Sequence, residues 1–257
     1  MMLHIFGKPI SLLVFDMAGT IIQERGFIYK SMVNVLQSMN CAVAEKDVLR
    51  WKGRAKQEVL NEMINKTYPA ASREKMLQIA SQNLKEQLQS EYTADNISMI
   101  HPHAINTLHN LRKRGVKVAL NTGYPKDIQD QIISELNLDK CIDASISSDC
   151  VINSRPHPAM IHRLMDKLNI PNIEHVGKVG DTVIDVQEGM NAGCGLVVGV
   201  LSGGTPSKDL YPYSHAIIPD ITDIFTSQVL LAKQVPNNPY NAKFRHPFQS
   251  PYPFTVP

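Results

Sequence analysis

With 257 residues, 43% hydrophobic and 19% charged, the chain is long enough for one large domain or two modest ones and has an ordinary globular composition. A net charge of +2 argues against nucleic acid or an anionic membrane as the main partner, since neither would be strongly attracted. Four cysteines (Cys41, Cys141, Cys150, Cys194) lack CxxC spacing, so they read as reduced thiols of a cytoplasmic enzyme rather than as a disulfide framework or a zinc site.

The first predicted element is a strand. Leu12, Leu13, Val14 and Phe15 run straight into Asp16, and Gly19 and Thr20 follow. Such a run suits a parallel strand covered on both faces, with its charge where open α/β sheets bind ligands, outside the strand tips. Because the run is short and Asp16 and Glu24 follow closely, it predicts neither a signal peptide nor a membrane span. Residues 21–27, with Gly26, read as an exit from this strand. Tyr29, Met32, Val33, Leu36 and Met39 then mark one helical face. Residues 45–66 and 72–92 read as further helices, the second with Leu77, Ala80, Leu84 and Leu88 in line. A stretch of roughly 70 residues without a strand pattern is too long for a loop and predicts an inserted cap.

Alternation follows. Helices are predicted at 103–114, 126–138, 158–169 and 183–192, and strands at 116–121, 142–147, 175–179 and 196–201. A short strand at 216–218 and a helix at 220–233 complete the pattern. Strands alternating with helices of this length imply a parallel sheet with right-handed crossovers. The expected fold is α/β: a Rossmann-like, doubly wound parallel-sheet core (1–24 and 97–234) with an all-helical cap (25–96). The tail, 235–257, carries six prolines and five aromatics, which suits an extended strap on its own domain or a partner-docking peptide.

The chemical signals fall where predicted strands end: Asp16, Thr122, and Asp181 with Asp185, joined by Arg155 in a loop before a helix. A carboxylate nucleophile, a hydroxyl, a fixed cation and two more carboxylates describe metal-assisted phosphoryl transfer. Asp16 would attack phosphorus and form an aspartyl phosphate. Mg2+, a hard ion, would sit on Asp16, the Ala18 carbonyl and Asp181, with Asp185 close by. Thr122 would bind phosphoryl oxygens and Arg155 would neutralise developing charge. Each signal also has a structural reading: Asp181 as a helix cap with Asp185 in the first turn, Thr122 as a turn residue, Arg155 as a surface cation. Their joint occurrence at matching strand ends favours catalysis.

The segments DMAGT (16–20), NTG (121–123), SRP (154–156) and GDTVID (180–185) resemble, in kind and order, the four motifs of the haloacid dehalogenase (HAD) superfamily. The helical insertion is similar to that superfamily's first-type cap, and the resemblance runs to about residue 210. Its phosphatases usually carry a second Asp two residues after the nucleophile, to protonate the leaving oxygen. Here Ala18 stands there, and it has no proton to donate. Phosphonatases (phosphonoacetaldehyde hydrolases) have Ala at this position and use a cap lysine to turn the substrate aldehyde into an imine. The segment RWKGRAK (50–56) resembles the one that carries this lysine, which implies Lys56 as the Schiff-base residue. Lys52 and Arg54, of like charge, would leave more of its amine free to attack a carbonyl. The resemblance further implies Gly123, Tyr124 and Arg54 as substrate-binding residues, Mg2+ as cofactor, a small phosphorylated or phosphonate substrate, and a homodimer formed through the cap. Met17 and Ala159 where phosphonatases have Trp, and Val59 where they have His, with Glu58 nearby, bring the chain closer to the looser phosphonatase-like hydrolases. Two alternatives stay open: a phosphatase for an activated substrate that needs no imine, and a non-catalytic binding protein that docks through its tail.

Overall fold

The computed structural model describes residues 2–23 and 25–226 and the strand at 230–231. The chain opens with an antiparallel hairpin, β1 (Leu3–Ile5) and β2 (Lys8–Ile10), before β3 (Leu12–Phe15). After β4 (Ile22–Gln23) come four helices, α1 (Phe27–Ser38), α2 (Glu45–Leu49), α3 (Lys56–Thr67) and α4 (Ala70–Glu91). β5 (Ser98–Met99) then returns antiparallel against β4, so the insertion leaves and re-enters through two paired strands. The rest alternates: α5 (Ala104–Lys113), β6 (Lys117–Thr122), α6 (Lys126–Glu135), β7 (Ala144–Ser147), α7 (Ala159–Leu168), β8 (Val176–Gly180), α8 (Val183–Ala192) and β9 (Leu196–Val200). α9 (Ser207–Leu210), β10 (Ala216–Ile218) and β11 (Leu230–Leu231) close it. No helix among the described residues is long and apolar enough to cross a membrane.

The main sheet runs β11-β10-β9-β8-β3-β6-β7, with six parallel strands and an antiparallel β11 at the edge. The fold class is therefore the α/β one expected. β3 is central, and the chain winds to β6 and β7 on one side and to β8, β9 and β10 on the other. That reversal makes the carboxyl ends of β3, β6 and β8 the crevice of the sheet. All four residues of β3 are fully buried. Leu13 and Phe15 join one hydrophobic cluster and Leu12 and Val14 another, because alternate side chains leave opposite faces of a strand and both faces are covered.

The predicted helix at 45–66 is interrupted. α2 ends at Leu49, a turn follows, and α3 begins at Lys56. Gly53 in that turn has φ +87, and a Cβ there would collide with the Thr182 hydroxyl, so only glycine brings this turn against the core. The described residues of the predicted helix at 220–233 do not form the expected α-helix: 221–225 form a 3-10 turn and 230–231 a strand. Asp220 accepts from the Thr222 amide at 2.7 Å to cap a short 3-10 turn, and Leu230–Leu231 pair with β10 instead. A free sheet edge outweighed local helical preference. Helix 126–138 stops at Glu135, and Asn137 adopts a left-handed conformation. The hairpin β1–β2 was not anticipated. The expectation for 235–257 lies outside the described residues.

Candidate active site

The register sets three functional groups side by side. Phe15 pairs with Leu120 on β6 and with Val179 on β8, so Asp16, one residue on, lies level with the ends of both neighbours. Thr122 ends β6, and Asp181 follows β8. Asp16 is 4% exposed and donates its amide to the Val179 carbonyl at 2.9 Å. Carboxylate oxygens of Asp16, Asp181 and Asp185 lie within 4.8 Å of one another, all buried. Arg155, also buried, donates from Nη1 to Asp16 at 2.7 Å and to Asp185. Its Nε is buried with no hydrogen-bond partner among the described residues, leaving a donor in reserve.

Electrostatics separate the three acids. Burial and the neighbouring Asp185 raise the Asp16 carboxyl above the ordinary range, against the pull of Arg155 and Lys178. Burial, and then Asp16, push Asp181 up to about 7, with Lys52 opposing. Burial acts on Asp185 in the same sense, but Arg155 and Lys178 outweigh it and bring it down to about 2. Three buried carboxylates, two of them pushed toward the neutral form, make a donor set of hard oxygens that fits a divalent cation. The structural reading of the GDTVID segment holds for Asp185, in the first turn of α8, and not for Asp181. The helix cap is Thr182, not Asp181, and Asp185 closes a capping box with it while remaining in the acid cluster.

A cavity of about 690 Å3 opens over these groups, lined by Asp16, Ala18, Thr122, Gly123, Tyr124 and Arg155 from the sheet side. Tyr29, Lys52 and Lys56 line it from the inserted helices. Lys56 begins α3 and is 7% exposed. Its amide donates to the Gly123 carbonyl at 3.2 Å, and its amine donates to the Arg54 carbonyl at 3.3 Å. That amine also lies 5.4 Å from the Tyr29 ring and 5.6 Å from the Tyr124 ring, in cation–π range. The Tyr124 hydroxyl meets that of Tyr92 at 2.9 Å, and the Thr122 hydroxyl accepts from the Tyr124 amide at 3.2 Å. The Arg54 side chain is not brought to the cavity: it stacks on Trp51 and pairs with Glu58 at 3.5 Å.

Sequence reasoning passed over a fully buried group behind the acids. Lys178 on β8 reaches Asn121 at 2.5 Å, Glu188 at 3.0 Å and Asp185 at 3.2 Å. Asn121 donates to both Glu188 oxygens, at 3.0 and 2.8 Å. The available signal was a lysine inside a strand otherwise buried on both faces, which demands a buried acid. All four cysteines are free thiols.

The family model of haloacid dehalogenase-like hydrolases matches residues 13–199. The bifunctional phosphonoacetaldehyde hydrolase/aminoethylphosphonate transaminase of Clostridioides difficile (strain 630) is 27% identical over 203 residues, 75% of this chain and 32% of that protein. The phosphonoacetaldehyde hydrolase of Pseudomonas fluorescens (strain Pf0-1) is 32% identical over 127 residues, 49% of this chain and 46% of that protein. The chain thus spans less than half the length of either relative. Among solved structures, a predicted phosphoglycolate phosphatase of Haemophilus somnus 129pt superposes with a TM-score of 0.69 at 20% identity, covering 84% of this chain and 96% of that one.

Proposed function

Because the chain belongs to the haloacid dehalogenase-like hydrolases, we propose that it is a Mg2+-dependent hydrolase cleaving the carbon–phosphorus bond of phosphonoacetaldehyde or a related carbonyl phosphonate, with residues 25–96 as its cap. The observation that carries this reading is the pairing of Asp16 with Lys56 across one cavity, with only the methyl of Ala18 where a proton donor would otherwise stand. In this reading the Lys56 amine adds to the substrate carbonyl and water leaves, giving an imine. Asp16 then attacks phosphorus; the carbon–phosphorus bond breaks and its electron pair is drawn into the imine as an enamine. Proton uptake at carbon and hydrolysis release the aldehyde and regenerate Lys56, and a second water frees phosphate from Asp16. Thr122 and the Arg155 guanidinium, with its spare Nε, would hold the phosphoryl oxygens through these steps. A divalent cation on Asp16, Asp181 and Asp185 would screen those carboxylates from the phosphoryl oxygens.

Incubation with phosphonoacetaldehyde and borohydride, followed by peptide mapping, tests this directly. The expected adduct is on Lys56 and is absent from Lys56→Ala; a wild-type protein that turns substrate over without any Lys56 adduct refutes the imine. A second reading has one observation in its favour, the Lys56 amine held by the Arg54 carbonyl and two tyrosine rings as a bound cation would be. The enzyme would then be a phosphatase for an activated acyl phosphate, and Lys56→Ala would keep substantial turnover of that substrate.

A further inference from the structure

We propose that Tyr92 is a positioning residue for Lys56 that acts through Tyr124: the hydrogen bond between the two tyrosine hydroxyls sets the Tyr124 ring against the Lys56 amine. This rests on the assignment of Lys56 as the reacting amine above. The Arg54 carbonyl and the Tyr29 ring, which both lie against that amine, belong to the inserted segment. Tyr124 belongs to the core and stands two residues past Thr122, in the loop after β6. Its ring, 5.6 Å from the amine, therefore relates Lys56 to the side of the cavity where Asp16 and Thr122 lie.

Both tyrosines are fixed along the backbone. Tyr124 donates its amide to the Thr122 hydroxyl at 3.2 Å, and its carbonyl accepts from Ser148 at 3.4 Å. Tyr92 closes α4: its amide donates to the Leu88 carbonyl at 2.9 Å, and its carbonyl accepts from Gln131 of α6 at 2.8 Å. These bonds leave the Tyr124 side chain its own rotations, and the hydroxyl bond at 2.9 Å restrains them by tying the far end of the ring. Both side chains are buried. The Tyr92 ring meets Tyr124 edge to face at 5.4 Å and Phe27, at the start of α1, at 6.2 Å. That packing needs the rings alone, and phenylalanine would supply it without burying an oxygen. The paired hydroxyls add direction, because their bond is made in one setting of the two rings.

Tyr92→Phe removes the oxygen and keeps the ring. With phosphonoacetaldehyde, kcat and the yield of borohydride-trapped Lys56 adduct are expected to fall about tenfold, with KM within about twofold. Acetylation by acetic anhydride needs no substrate. Mapped on Lys56 relative to Lys66, at the far end of α3, it is expected to rise about threefold as the amine is released. A merely structural loss would not move the two reactions of one amine in opposite directions. In Tyr124→Phe, where the same bond is already missing, adding Tyr92→Phe is expected to change kcat by less than about twofold. An unchanged kcat, an unchanged acetylation ratio, or a further tenfold loss in the double variant would overturn this inference and leave the hydrolase reading standing. A wild-type protein that forms no adduct with this substrate would overturn the imine. The acetylation ratio then stands alone: a rise in Tyr92→Phe supports Tyr92 as the residue that places the amine, and no rise overturns it.

Discussion

Two residues beyond Asp16, Ala18 lines the cavity with only a methyl for a side chain, and in the proposed reaction this would decide which leaving groups the site can expel. An alkoxide needs a proton as it departs, and a methyl has none to give. Ala18→Asp is therefore expected to raise hydrolysis of an unactivated phosphate monoester such as glycerol phosphate by about 100-fold, read as phosphate release. An unchanged rate would mean that the ester's leaving oxygen does not pass residue 18. The residues proposed to meet ligand were largely legible, since Asp16, Thr122 and Arg155 stand out against apolar or turn surroundings, and the three line one cavity. Arg54 and Lys52 were not separable in the sequence: both are basic residues of one turn, and only its path sends one to Glu58 and the other to Asp181.

Among the elements, the strands covered on both faces were the easiest to anticipate, because their apolar runs are continuous and end at a charge or glycine. The short β1, β2, β4 and β5 were hidden, since pairing of two or three residues leaves no period to detect. Asp143, just before β7, ties three elements together. Its carboxylate accepts from the Val118 amide at 2.9 Å, Lys117 at 3.1 Å and Arg112 at 3.3 Å. Partial burial opposes its charge, but these partners outweigh that and hold it below the usual value of 3.8. A carboxyl lowered on folding adds stability that is complete above its unfolded pKa and fades as pH falls through the folded one. Asp143→Asn should accordingly lose about 1 kcal/mol in urea unfolding at pH 7. The gap to wild type should shrink below about pH 4. A pH-independent gap would point to lost packing instead.

Across the whole molecule, the parallel α/β plan was legible from alternation alone, whereas strand order was not, because no local pattern says on which side of β3 the next strand lies. That order gathers three acids at one point, and their mutual repulsion is a burden on the folded state. Mg2+ at about 100 times its dissociation constant is expected to add about 2.7 kcal/mol of stability, seen as a higher melting midpoint. EDTA should reverse the gain and abolish turnover; a midpoint indifferent to both would show that the triad holds no such ion.

The bond from the Lys56 amide to the Gly123 carbonyl joins the insertion to the loop beside Thr122, peptide to peptide. It fixes how far the backbone at Lys56 stands from the loop after Thr122. A swing about the paired β4–β5 neck wide enough to discharge phosphate would break that bond and withdraw the amine in the same stroke. The enzyme would thus be armed only while shut, and each departing product would reset the trigger for the next molecule.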